Sequence, residues 1–184
     1  MIDISFSEQL GEAKLTKLKI SKSTGPDHMH PRVLKELGGI ISSPLSLIFQ
    51  TSFTTGTVPE DWKTANITAI NKKGDKRVAD NYRPISLTSV VCKVMESIVS
   101  DALVDHMKVN GLFTSKQFGF LKGRSTTLQL INVLDEWTKL LDTGTPVDVI
   151  YTDFQKAFDS VSHRRMISKL EAYGVHGHLL SWIK

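Results

Sequence analysis

Residues 147–163 read VDVIYTDFQKAFDSVSH. The first eight form an apolar run of strand length, which predicts a buried β-strand over 147–154. Phe158, Val161, Met166, Ile167 and Leu170 then return at helical spacing, with Gly174 as the stop signal. On this reading Asp153 stands at the C-terminal end of a buried strand, the edge at which open sheets collect ligands. A carboxylate there suits a hard cation such as Mg²⁺, which takes one or two carboxylates together with substrate phosphates. The competing reading makes Asp153 the cap of the following helix. Asp159 falls in the first turns of that helix, where the helix dipole favours an acid, so its reading is structural. A two-metal site holds its ions about 4 Å apart and needs several carboxylates. Asp153 and Asp159 alone do not supply them, and the chain has no Asp-Asp dipeptide.

Working outward, ANITAI (65–70) and YRPISLT (82–88) have the β-branched content of short strands, joined by the basic loop NKKGDKRVADN. Lys72, Lys73, Lys76 and Arg77 lie in that loop and Arg83 on the return strand. They suit phosphate contacts, although a solvated loop is the commoner fate of such charges. Arg83, between Tyr82 and Pro84, is expected to be half-buried and therefore to need an anionic partner. QFGFLKGRS (117–125) sets Phe118, Phe120, Lys122 and Arg124 among glycines. Such a stretch can stack bases and touch phosphates, or its aromatic rings can plug a core.

The remaining chain reads as helices. A capping box at Ser5 and Glu8 opens the first. Pro31 starts a second, Gly38-Gly39 ends or interrupts it, and Ser43-Pro44 restarts it. Val91, Val94, Met95, Ile98, Ala102 and Met107 mark a long helix from 90 to 107, stopped by Gly111. Another spans about 126–141 and stops at Gly144. HLLSWIK (178–184) begins a last helix with no stop signal, which predicts a piece of a longer protein.

Composition narrows the classes. The chain has 184 residues, 40% of them hydrophobic and 23% charged, enough for a packed core. A net charge of +4 permits nucleic-acid binding without requiring it. The single cysteine, Cys92, allows no intrachain disulfide and sits in an apolar helical pattern, as a small core residue would. No apolar run is long enough to span a bilayer, and the N-terminus lacks the pattern of a signal peptide. His28-x-His30 and His176-x-His178 have no companion ligands and read as surface histidines. No Walker-type loop and no nucleophile elbow occurs.

Four segments in order carry a resemblance: KSTGPDHMHPRVLKEL (22–37), NYRPISLTSVVCKVMESIV (81–99), QFGFLKGRSTTLQL (117–130) and VDVIYTDFQKAFDSVSH (147–163). Together they resemble reverse transcriptases of non-LTR, LINE-type retrotransposons near the jockey-like elements. The resemblance covers almost the whole chain. It implies an α+β fold, part of a right-hand polymerase, with a helical N-terminal extension (1–60), fingers (61–144) and the start of a palm (145–184). It also implies RNA-directed DNA polymerisation with two Mg²⁺ ions, an RNA template, a DNA primer and deoxynucleoside triphosphates. The setting would be intracellular, in nucleus or cytoplasm, as a ribonucleoprotein and with no membrane.

Residue by residue, the resemblance makes Asp153 the catalytic metal ligand, with the Phe154 main-chain carbonyl beside it. Phe158 would exclude a 2′-hydroxyl, while Arg83 with Lys72 or Lys73 would grip the triphosphate. Gln117, Gly119 and Arg124 would lie along the template. Leu121 stands where the family usually has arginine, and His28 where a glycine is common. The family's paired-aspartate motif would lie beyond residue 184, so this chain alone is expected to be inactive. The alternative is a non-catalytic nucleic-acid-binding or interaction module left from a degenerate element.

Overall fold

The computed structural model describes residues 4–154 and 157–184. They form seven α-helices and one two-stranded sheet: α1 (Glu8–Leu15), α2 (Pro31–Glu36), α3 (Gly38–Thr55), β1 (Asn66–Asn71), β2 (Tyr82–Leu87), α4 (Val90–Val109), α5 (Thr126–Asp142), α6 (His163–Ala172) and α7 (Gly177–Ile183). The chain divides into two compact units. The first runs up to His106 and takes in Ile167–Lys184, and the second is Met107–Met166.

The core of the first unit joins residues far apart in sequence. Ile4, Phe6 and Leu15 pack with Leu34, with Phe49 and Phe53 of α3, with Val94, Met95 and Ile98 of α4, and with Val175, Leu179 and Leu180 near the C-terminus. Phe6 meets Phe49 and Phe53 edge-on, with ring centroids 6.0 and 5.3 Å apart, an arrangement that aligns ring edge with ring face. The backbone around Phe6 is strapped to α3, since its N–H donates to Gln50 Oε1 at 3.3 Å and its carbonyl accepts from the Ser46 hydroxyl. Buried Ser52 is fully satisfied. Its hydroxyl donates to the Thr57 carbonyl at 2.8 Å and accepts from Trp182 Nε1 at 3.0 Å, which ties α7 to α3.

Helix ends follow local chemistry, with adjustments to the sequence reading. Ser7, not Ser5, caps α1 by accepting from Leu10 N–H at 3.2 Å, and Glu8 reaches the Ser43 hydroxyl at 2.7 Å instead of closing a capping box. Pro31 opens α2 as expected, behind a His30 cap. The break falls at Leu37, and α3 already begins at Gly38, with Pro44 inside it. Pro44 forfeits one helical bond, a loss that tolerably falls on an exposed side of the helix. Buried Ser89 caps α4, accepting from Cys92 N–H at 3.4 Å. That helix ends where Gly111 turns left-handed (φ 61°) and Leu112 N–H bonds back to the Met107 carbonyl at 2.9 Å. Cys92 is buried as expected, and burial, with Glu96 beside it, pushes its thiol pKa up to about 12, which keeps it a neutral core group.

β1 and β2 pair antiparallel, with Ile70 opposite Arg83 and Asn66 opposite Leu87. This is the expected hairpin. The strand expected over 147–154 is absent, and the segment is irregular, with Ile150 and Tyr151 87% and 86% exposed. A strand needs a neighbour to complete its ladder, and among the described residues the one sheet is β1–β2. The helix expected from Phe158 begins only at His163, after a turn over 157–160. Ser162 supplies its start, with its carbonyl accepting from Met166 N–H at 2.9 Å.

Candidate functional site

The sequence-derived candidates fall on two structures, one in each unit. In the first unit they sit on the β1–β2 hairpin. Its loop is organised by its own side chains. Arg77 Nε lies 3.3 Å from Asp75, Asn81 Nδ2 donates to the Asp75 carbonyl at 2.9 Å, and the Tyr82 hydroxyl donates to the Lys76 carbonyl at 2.9 Å. Sequence reasoning misses Asn81 and Tyr82 as organisers of this loop. An Asn at the base of a charged loop is the available signal, because its amide can serve the loop backbone.

Lys72, Lys73 and Arg83 are all exposed. Lys72 N–H donates to the Asn81 carbonyl at 2.7 Å, extending the ladder by one rung. Strand alternation then sets Lys72 and Arg83 diagonally on one face. The expectation of a half-buried Arg83 with an anionic partner is not met. Nothing among the described residues covers that face, where Ile70 and Ile85 are 52% and 40% exposed, so the guanidinium stays hydrated and unpaired. At Lys72, Lys73 and Arg83 the hairpin therefore presents a basic surface held by an ordered loop, where an anion can be received without first breaking an ion pair of those side chains.

In the second unit the candidates occupy two irregular segments. Gln117, Gly119 and Arg124 share one loop. The Gln117 side-chain amide turns back to the Gly119 carbonyl at 3.3 Å. Arg124 Nη1 donates to the carbonyls of Ser115 and Gln117 at 2.6 and 2.5 Å, and its guanidinium lies 5.2 Å from the centre of the Phe118 ring. The aromatic rings of this loop plug no core, for Phe120 is 94% exposed and holds a left-handed backbone (φ 62°). Its ring meets Phe158 edge-on at 6.3 Å.

Asp153 is exposed on the irregular segment, and Phe154 beside it is 82% exposed. Neither aspartate starts a helix. Asp153 lies ten positions before α6, Asp159 lies in the preceding turn, and Ser162 takes the starting position. The Asp153 carboxylate and the Phe154 carbonyl are hard oxygen donors of the kind Mg²⁺ accepts, and both are accessible. Among the described residues no group of three His, Cys, Asp or Glu side chains could enclose a metal. No helix of the described residues is long and apolar enough to cross a membrane.

The structure thus offers a basic hairpin, a glycine-punctuated loop with aromatic rings and an exposed aspartate, and comparison supplies the class. The family profile described as reverse transcriptase (RNA-dependent DNA polymerase) matches residues 70–184. The chain belongs to that family. Among its relatives, it is 32% identical over 89% of its length to the probable RNA-directed DNA polymerase from transposon BS of Drosophila melanogaster. It is 30% identical over 84% to the RNA-directed DNA polymerase from mobile element jockey of the same fly, and 31% identical over 78% to the probable polymerase from transposon X-element. It spans 18%, 17% and 16% of those three proteins.

Proposed function

We propose that this chain contributes the fingers and the beginning of the palm to an RNA-directed DNA polymerase of a non-LTR retrotransposon. The observation that carries the reading is the family match over 70–184, which takes in Lys72, Lys73 and Arg83 of the hairpin, the 115–124 loop and Asp153 together. On it, residues 1–60 form a helical extension, 61–144 the fingers and 145–184 the start of the palm. The template is RNA, the primer DNA, the substrates deoxynucleoside triphosphates, and the setting intracellular.

Each role rests on a physical requirement. Phosphoryl transfer is mostly positioning and neutralisation of charge. Lys72, Lys73 and Arg83 meet the triphosphate from the hairpin, with the guanidinium suited to bidentate contact. Asp153 and the Phe154 carbonyl would hold Mg²⁺, which would supply positive charge to offset that of the reacting phosphate. Phe158 stands under the incoming sugar, where a ring leaves no room for a 2′-hydroxyl. Gln117, Gly119 and Arg124 form the template side. The 184-residue chain does not polymerise by itself, because a two-ion site needs several carboxylates and Asp153 is one.

Two measurements on the purified chain test this. In a Mg²⁺-dependent primer-extension assay no product is expected, and product that disappears in Asp153→Ala would overturn the claim of inactivity. In a titration with a fluorescent RNA–DNA template-primer, binding is expected to survive Asp153→Ala. Replacing Lys72, Lys73 and Arg83 by alanine together should leave the salt dependence of that binding unchanged and weaken binding of a deoxynucleoside triphosphate added to the complex by about tenfold or more, since these side chains meet the triphosphate. Failure of the wild-type chain to bind that duplex would overturn the reading.

A further inference from the structure

We infer that Arg124 is a positioning residue: it clamps the 115–120 loop into the shape that lies along the template, and does not itself grip a template phosphate. The inference rests on the functional reading above, in which Gln117 and Gly119 border the template strand. Both protons of Arg124 Nη1 are committed, one to the Ser115 carbonyl at 2.6 Å and one to the Gln117 carbonyl at 2.5 Å. The planar cation also rests against Phe118 at 5.2 Å, so the two carbonyls and the ring close around one side chain. Backbone bonds at either end of the loop, Gln117 N–H to the Thr114 carbonyl and Arg124 N–H to the Leu121 carbonyl, are each 3.2 Å and turn the chain without spanning it. The guanidinium is the group that spans it. What it holds is costly to hold, because Phe120 keeps a left-handed backbone with its ring in solvent.

A lysine carries the charge and donors enough for two carbonyls, but its shorter side chain ends one bond short of the Nη1 position and has no planar group to lie on the ring at the same time. This separates a clamp from a group that binds phosphate by charge. Arg124→Ala and Arg124→Lys are compared with the wild-type chain by hydrogen exchange over residues 114–124 and by binding to a fluorescent single-stranded RNA across a salt series. The clamp predicts exchange faster by about fivefold in both variants, with the urea midpoint of the first unit unchanged. It also predicts RNA affinity lower in both by a similar factor of about five, and a salt slope equal to wild type. Unchanged exchange in Arg124→Ala would overturn the inference. So would affinity restored by lysine together with a slope flattened by about 0.7 in the alanine variant, the mark of one phosphate left unneutralised on a single strand. If the wild-type chain binds no RNA, the template reading falls, and the exchange data still decide whether Arg124 holds the loop.

Discussion

Gly25 and His28 lie three residues apart in one turn and make opposite demands on their side chains. The turn closes with His28 N–H donating to the Gly25 carbonyl at 3.2 Å, while Asp27 accepts from Met29 N–H at 3.1 Å. A Cβ on buried Gly25 would lie 2.6 Å from backbone atoms of Thr88 and Ser89, where no flexible end can move aside. Ser89 is the fully buried cap of α4, so the strain would pass to the start of that helix. Gly25→Ala is expected to cost about 2 kcal/mol, as overpacking does, read as a lower urea midpoint. His28 has the reverse problem. Its backbone is left-handed (φ 54°) and its side chain is exposed to solvent. His28→Gly should stabilise by about 0.5 to 1 kcal/mol, because relief of the left-handed strain exceeds the added freedom of the unfolded chain. A lower midpoint in His28→Gly would show that the imidazole does something there that the turn geometry does not explain.

At the scale of elements, α7 is short, with seven residues, yet it completes the core of the first unit. Leu179 is fully buried and Trp182 reaches back to Ser52 of α3 across 130 positions. Leu179→Ala should therefore cost about 3 kcal/mol, a penalty typical of a buried leucine whose neighbours cannot collapse into the gap. A change below about 0.5 kcal/mol in the urea transition, the size expected of a surface substitution, would mean that α7 is not docked in solution. Helices were the legible part of this chain. Pro31, Gly111, Gly144 and Gly174 sit where local rules put them, because a helix satisfies its own backbone within a few residues. The hairpin was legible for the same reason, its partner strand being the next apolar stretch. VDVIYTDF was not. Its composition describes a strand buried between layers, and whether it becomes one depends on neighbours that its own residues do not encode. The candidate site divides likewise. That Asp153, Lys72 and Arg83 are chemically able was visible from residue type. The exposure of Arg83 and the internal partners of Arg124 depend on what covers or folds back on them.

At the scale of the molecule, the two units differ in what holds them. The first has a continuous core of aliphatic and aromatic side chains. Of the described residues 107–166 not one is buried, and on α5 Leu130, Leu134 and Leu141 are 63%, 57% and 62% exposed. The second unit is held instead by caps, turns and exposed pairs such as Lys116–Glu136 (2.8 Å) and Lys139–Asp135 (2.6 Å). Exposed ion pairs are screened by water and contribute little, whereas burial of apolar area is the main source of cooperativity. The isolated chain should therefore not unfold in one step. Its three tryptophans report separately: Trp62 packs on Phe49 at 5.9 Å, Trp182 bonds Ser52, and Trp137 lies on α5. In single-tryptophan variants made by phenylalanine substitution, Trp62 and Trp182 should show one shared sigmoidal urea transition. Trp137 should change emission at lower urea and with a shallower slope, since the slope follows the surface exposed on unfolding. Coincident midpoints and slopes for all three would mean that α5 is buried in solution against a surface the described structure leaves open. The exposed leucines of α5 would then be a packed interface of the isolated chain, and Leu134→Ala should cost about 2 kcal/mol or more instead of nearly nothing.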